Sequence, residues 1–316
     1  MSFKHVMAIY DMMDSPALRG EDFKAYLEAL GTSDNLRVEI IPVAYEPPED
    51  PQYYCDFVRI YIQGSEGKMQ GGSQYPTLGV IGRLGAQGAL PERVGQVSDA
   101  DGSTVALSTA ATLWEMSLKG ARLKGDVIIT THVANHVSIE PHEPVDFMGM
   151  PVSSATMNEY EVLAEMDAII SVDTSKGNTI INHRGMALSA TAKEGYILRV
   201  APDLVKLMEL TTGRPAVTFP ITTQDITDYS NGVYHFNSIM QPHVATSSPV
   251  VGLAITASSV VPGSETGASY ITELHEATQF VSEVAKQYTW KRASFYDSGD
   301  YARLVARYGK LDFLQQ

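Results

Sequence analysis

Cysteine is almost absent from this chain. Cys55 stands alone among 316 residues, which rules out an intrachain disulfide and any zinc site built from several thiolates. Positive charge is also scarce: 23 Lys and Arg face 37 Asp and Glu, for a formal net charge of −14. No basic stripe offsets this locally, so phosphate backbones and anionic lipid surfaces would be repelled, and neither nucleic acid nor membrane is an expected partner. No apolar run reaches the roughly 20 residues that cross a bilayer. The opening stretch MSFKHVMAIYDMMD carries Asp11 and Asp14 and no small-residue cleavage site. A secretory signal is therefore not expected, and a reducing cytoplasm is the expected compartment. GxSxG, P-loop and GxGxxG motifs are missing too, which removes elbow-type serine hydrolases, kinases and dinucleotide enzymes and leaves no expected nucleotide cofactor. Cys55, placed before an apolar run, reads as core filler rather than as a nucleophile.

What is present is ordinary globular composition, 44% hydrophobic and 19% charged. Val6, Ile9, Tyr10 and Met13 fall at helical spacing. After the break DSPALRG, Phe23, Tyr26, Leu27 and Leu30 do so again, giving a helical hairpin. LRVEIIPVAY and DFVRIYIQ read as strands around the loop EPPEDPQ. GSEGKMQGGSQ is a link or surface loop.

Short apolar runs then alternate with helical segments: TLGVIG, a helix over 103–118, GDVIITTHV, a helix over 158–165, and DAIISVD. GYILRV, a helix through Leu204, Leu207, Met208 and Leu210, AVTFPIT, VVGLAI and a closing helix through Leu274, Phe280, Val281 and Val284 continue the pattern. The expectation is an α/β fold in three layers with a mostly parallel central sheet, one domain over 1–316. Residues 1–75 are integrated into it, and 290–316 form a tail.

In open α/β sheets ligands sit beyond the carboxyl ends of the strands. Polar residues that end the expected strands are Arg83, Thr131, His132, Asp173 and Asp225, while VSDADGSTVAL brings Asp99 and Asp101 to the start of a helix. A carboxylate finishing AIISV would be desolvated and would need a metal, a cation or N–H donors; capping of the turn TSKG is the equal alternative for Asp173. Helix capping competes likewise at Asp99 and Asp101.

THVANHVSIEPHEP gathers His132, His136 and His142 with Glu140 and Glu143, ligand types suited to zinc, although the spacing matches no standard metal motif. A polar surface loop is the competing reading. TTQDITDYSNGVYHFNS offers Asp225, Asp228 and His235 as a substrate loop or an ordinary connection. His183, His243 and His275 lack a supporting pattern and read as structural.

The motifs PTLGVIGRLG, VSDADG, DVIITTH, DFMGMPV, ATMNEYEVLAEMDAIISVDTSKGN, EGYILRV and FPITTQDI resemble an uncharacterised bacterial family, a domain of unknown function (DUF1177), over nearly the whole chain. More distantly, the order of elements is similar to that of the co-catalytic zinc aminopeptidases of the glutamyl and deblocking type. MMDSPALRGEDFKAYLEALG resembles their opening helix pair, with Gly20 and Glu21 in place.

Asp99 with Gly102 resembles the family's bridging DxxG, and Asp173 in AIISVDTS resembles a later Asp ligand. Where the family has GHxD, this chain has Gly82, Arg83, Leu84 and Gly85, and neither Arg nor Gly binds zinc. The short interval between Arg83 and Asp99 leaves no room for the inserted lid domain of the aminopeptidases.

The resemblance implies a metal-dependent hydrolase of a small amide or amino-acid-like metabolite. One divalent ion, zinc or manganese, would be held by Asp99, His132 and Asp173, with Asp101 or Glu143 moving protons and Arg83, Asp225 and His235 binding substrate. The alternative is a metal-free descendant that binds a small acidic metabolite through Arg83. A homo-oligomer is implied as well.

Overall fold

The computed structural model describes residues 2–15, 17–46, 53–71, 74–83, 85, 96–141, 143–221, 238–264, 266–312 and 315. The expected hairpin forms from α1 (Ser2–Met13) and α2 (Gly20–Leu30), which bury Val6, Ile9 and Met13, and Phe23 and Leu27. Arg19, just before α2, donates to Asp56 through Nε and Nη2 (2.7 and 2.8 Å), and the Gly20 N–H adds a third bond at 3.0 Å. This fixes the hairpin to the sheet, because Asp56 lies in β2.

The first strands are β1 (Leu36–Val43), β2 (Cys55–Ile62), β3 (Leu78–Gly82) and β4 (Val127–Ala134), with α3 (Asp101–Leu118) between the last two. A small ribbon of β5 (Ile139–Glu140) and β6 (Phe147–Met148) follows, then α4 (Ser154–Glu161), β7 (Ala168–Ser175), β8 (Gly185–Lys193) and β9 (Tyr196–Leu198). The chain continues through α5 (Pro202–Thr212), β10 (Thr218–Phe219), a 3₁₀ segment (Ser238–Ala245), β11 (Val250–Thr256), α6 (Ile271–Thr289) and α7 (Ser298–Tyr308).

The main sheet runs β1-β2-β4-β3-β7-β11-β8-β10. Its centre, β4-β3-β7-β11, is parallel, as the alternation of strands and helices requires. Strands β2 and β8 run against the central strands beside them, and β1 runs against β2.

Side-chain alternation explains the layers. Val127, Ile129 and Val133 of β4, and Ala168, Ile170 and Val172 of β7, join a core with α1, α3 and α6. Ile128 and Ile169 point the other way, into a second core that includes Ile239 and Met240 of the 3₁₀ segment. Helix α3 is buried continuously from Asp101 to Trp114. Cys55 is fully buried and its thiol pKa is pushed up by burial, as core filler would be. No described helix is long and apolar enough to cross a membrane.

Several boundaries differ from expectation. Helix α4 starts four residues earlier than the 158–165 pattern, because Ser153 Oγ accepts the Thr156 N–H (3.2 Å) and caps it there. Strand β8 was not foreseen: GMALSATAK is built from small residues that carry little strand signal. The stretch from 290, expected as a tail, contains α7, whose inward residues Tyr301, Leu304 and Val305 are only half-buried. AVTFPIT contributes only the two-residue strand β10.

His5 ties α1 to its neighbours: Nδ1 meets the Tyr26 hydroxyl at 2.8 Å, and Nε2 meets Glu115 at 2.9 Å. Burial lowers its pKa below the usual 6.5, against the raising effect of Glu115. Because the folded pKa is depressed, this group supports folding above its unfolded pKa, and that support is lost as pH falls below 6.5. Glu115 is held down at about 2, chiefly by Lys119 and Lys4, so it stays ionised through that window. The melting temperature is expected to drop more steeply between about pH 7.5 and 5 in the wild type than in His5→Gln. Parallel pH profiles in the two proteins would refute the assignment.

Candidate functional site

The register decides which polar residues meet. Gly82 of β3 lies opposite Thr131 of β4 and Val172 of β7. One residue further, Arg83, His132 and Asp173 therefore stand level across three adjacent strands, and the Arg83 N–H extends the ladder to the Val172 carbonyl (2.8 Å). Since Val172 packs toward α3, alternation turns Asp173 to the opposite face.

On that face Glu161, the last residue of α4, bridges two members of the row. Its Oε2 accepts Arg83 Nη1 (2.8 Å) and its Oε1 is 2.7 Å from His132 Nδ1. The Glu161 carbonyl accepts the Thr130 hydroxyl, which fixes the helix end against β4. Arg83 Nη2 reaches Gln241 Oε1 (3.1 Å), which also accepts Ser154 Oγ (3.0 Å). Arg83 is only 4% exposed, and the side chains of His132 and Glu161 are fully buried. Ions this far from water must be paired, and here each oxygen of Glu161 has a partner.

The N-terminus of α3 closes the edge from the other side. Gly102 touches the strand ends: a Cβ there would fall 2.5 Å from the Val172 carbonyl oxygen and 2.6 Å from that of Arg83. A Cβ at Gly82 would meet Ala106 and Ser103 at 2.7 and 2.8 Å, so the two glycines let helix and sheet approach. A 3₁₀ turn, Ser98–Ala100, leads into the helix, which has no side-chain cap.

Asp101 therefore does not cap α3. Its Oδ2 takes Lys176 Nζ (2.6 Å), and its Oδ1 accepts the Ser269 hydroxyl, with Gln96 at 3.5 Å. Lys176 and Asp101 are fully buried, and Lys176 also donates to the Ala268 carbonyl (2.9 Å). Burial raises the Asp101 pKa, while Lys176 and the hydroxyl and amide donors pull it back. Tyr10, also raised by burial and then by the Asp101 charge, hydrogen-bonds Ser269.

Asp99 is half-buried and packs against the loop after β11. Its N–H donates to the Gly263 carbonyl (3.2 Å), and a Cβ on Gly263 would fall 1.9 Å from its Oδ1. Asp173 Oδ1 accepts the following Thr174 N–H (2.8 Å).

The structure thus aligns Arg83, His132 and Asp173 and sets Asp99 and Asp101 above the same edge, but it does not assemble Asp99, His132 and Asp173 around one point. Among the described residues no three His, Cys, Asp or Glu side chains converge as metal ligands. Both ring nitrogens of His132 are directed elsewhere, Nδ1 to Glu161 and Nε2 to the Gly85 N–H at 3.4 Å. Glu143 is exposed in the turn between β5 and β6, and His136 stacks on the Tyr53 ring (4.2 Å). Asp225, Asp228, His235 and His142 lie outside the described residues.

Glu161, Lys176, Gln241 and Ser269 were missed. Lys176 was within reach, because it follows a strand end three residues after Asp173. The other three are brought in from distant segments and carry no local signature.

Two substitutions test this construction. Gly102→Ala would gain about 1 kcal/mol from helix propensity alone, but the clash with two fixed carbonyls should reverse the sign. A net loss of about 1–3 kcal/mol is expected in denaturant unfolding; a stabilised variant would refute the close approach. Glu161→Gln strands Arg83 in the interior and should cost about 3–5 kcal/mol, most of it regained in Glu161→Gln/Arg83→Met. If the double variant is as weak as the single one, the ion pair is not the reason.

Solved structures share this architecture at 12–14% identity. The cytosol aminopeptidase of Coxiella burnetii matches at 14% identity with a TM-score of 0.51, covering 89% of this chain and 68% of that one. A mutant of tomato leucine aminopeptidase matches at 12% identity with a TM-score of 0.52, covering 89% of this chain and 60% of that one. The apo leucyl aminopeptidase of Trypanosoma brucei gives 12% and 0.51, with 88% and 60% covered. The chain therefore spans only 60–68% of the length of these enzymes, and at such identity the likeness is one of fold. No protein of curated function matches the sequence. Residues 48–316 match the family described as protein of unknown function (DUF1177), and the chain belongs to that family.

Proposed function

We propose that the chain is a peptidase-like hydrolase of a small amide or amino-acid-like metabolite, with its site over the carboxyl ends of β3, β4 and β7 and the start of α3. The observation that carries this reading is the concentration of buried ionisable side chains at that one edge: Arg83, His132, Glu161, Asp101 and Lys176. Burying several charges costs desolvation energy, so such clusters collect where a site needs them, and the raised titration of Asp101 is of the kind found in acid–base groups. The aminopeptidase fold supports the same reaction class.

In this reading Asp101 is the proton-transfer group. Its pKa is raised by burial, and it reaches the half-exposed Ser269 hydroxyl, through which a proton can pass to or from a bound amide. Lys176 holds the other oxygen and keeps the carboxylate in place. The N-terminal turn of α3, which no side chain caps, favours a carbonyl oxygen or carboxylate. Arg83, tied to Glu161 and Gln241, sets the row from behind.

A single divalent ion on Asp99, His132 and Asp173 does not fit these side chains, because the His132 nitrogens are directed at Glu161 and Gly85, and no step is assigned to one. Exposed Phe3 and Met7 on α1 support assembly as a homo-oligomer.

The test is hydrolysis of a panel of dipeptides and N-acyl amino acids by protein purified without a metal-binding tag. Turnover should fall about 10²-fold or more in Asp101→Asn. It should fall by a smaller factor in Ser269→Ala, which buries no unpaired charge, and should be indifferent to chelator. Activity abolished by chelator and restored by zinc or manganese would replace this reading with the metal-dependent one. No turnover on any compound, together with thermal stabilisation by carboxylates that requires Arg83, would reduce the chain to a binding protein.

A further inference from the structure

A second cavity, of about 670 Å³, lies between β9, the start of α5 and α7. Its place in the sheet separates it from the candidate site. Strand β8 runs antiparallel to β11, pairing Ala192 with Val250, and β9 pairs Ile197 with the same Ala192. Ile197 is therefore level with the first residue of β11, at the amino-terminal edge, whereas Asp173 is level with Ala254 further along.

The walls are apolar, with Ile197, Val200, Tyr296 and Leu304 among the lining residues. Two large apolar side chains remain in water there, Ile197 at 51% and Tyr308 at 64% exposure. Most charged groups at the rim are already engaged, with Asp297 also lying 3.7 Å from Arg199. Asp300 pairs with Arg199 and Arg303, Asp297 caps α7 by accepting the Asp300 N–H (2.9 Å), and Asp203 accepts both the N–H and hydroxyl of Ser294 (2.8 Å each).

Arg307 is the exception. It lines the same cavity and has no acidic partner among the described residues, its guanidinium lying 5.6 Å from the ring of Tyr308. In a chain with 14 excess negative charges, a cation left without a carboxylate beside an apolar hollow is a specific arrangement. A ligand with an apolar body and one carboxylate satisfies both features at once.

We propose that this cavity is a binding site for a small amphiphilic carboxylate, such as a medium-length acyl chain or an aryl-alkanoate. Its apolar part would cover Ile197 and Tyr308, and its carboxylate would pair with Arg307. The volume falls within the range of small-molecule sites, and α7 is joined to the strand side by the Tyr301 hydroxyl on Glu194 and by the Tyr196 hydroxyl on the Gly309 carbonyl (2.5 Å), so that the cavity exists before the ligand arrives.

Calorimetric titration of the full chain with octanoate, and in parallel with neutral octanamide, tests this. Octanoate should bind at one site, and Arg307→Ala should weaken it about tenfold or more. Octanamide should bind more weakly than octanoate to the wild type and equally to both proteins. Leu304→Trp, which fills the cavity without touching the charge, should abolish both, with a melting transition confirming that the variant is folded. The proposal is overturned if octanoate fails to bind the folded wild type, if Arg307→Ala binds it equally well, or if folded Leu304→Trp retains it.

Discussion

The contact between the first turn of α3 and the ends of β3 and β7 sets the rest of the molecule. Gly82 and Gly102 remove the two side chains that would hold helix and sheet apart, and backbone meets backbone at the strand ends. From that contact follow the burial of α3 on all sides, the position of Asp99 and Asp101 over the sheet edge, and the packing of α1 and α6 against α3. A helix further from the sheet would leave Lys176 without Asp101, and a buried ammonium without a counter-ion is among the costliest defects a core can carry.

The carboxyl edge is arranged so that opposite charges are matched inside it. Glu161 serves Arg83 and His132 with separate oxygens, and Asp101 serves Lys176 and Ser269 in the same way. Shared carboxylates of this kind need few acids to hold several donors, which limits the desolvation that buried ions require. Within each of these two clusters the carboxylate faces a cation, Arg83 in one and Lys176 in the other.

Much of this was legible in the residues. The helical hairpin, the central parallel strands and the closing helix all carry large apolar residues at clear spacing, and the resemblance of the DxxG stretch at Asp99 pointed to the helix start that closes the edge. Gly102 in that stretch is the glycine that the close approach requires. Strand β8 escaped notice because its side chains are too small to show a strand pattern, whereas α7 carries a helical stripe of Tyr301, Leu304, Val305 and Tyr308 that was there to be read. The alignment of Arg83, His132 and Asp173 follows from register across β4, β3 and β7, which no single segment encodes. Glu161 could not be found locally, because its role depends on α4 stopping there, where Val162 turns to an extended conformation in the middle of the apolar pattern.

Helix α3 has a consequence of another kind. Ser103 and Thr104 return their hydroxyls to the Ala100 carbonyl, and Thr112 to that of Ser108, so these donors are satisfied within the helix and its first turn, while Thr104 also accepts from Gln96. Enclosed on every side, the helix has no wet flank on which a changed residue could go unnoticed. A bulkier side chain on one wall must be matched by a smaller one facing it, so its Gly, Ala, Ser and Thr positions can drift only in concert. Freedom to vary singly belongs to the outer helices, above all to the exposed side of α7.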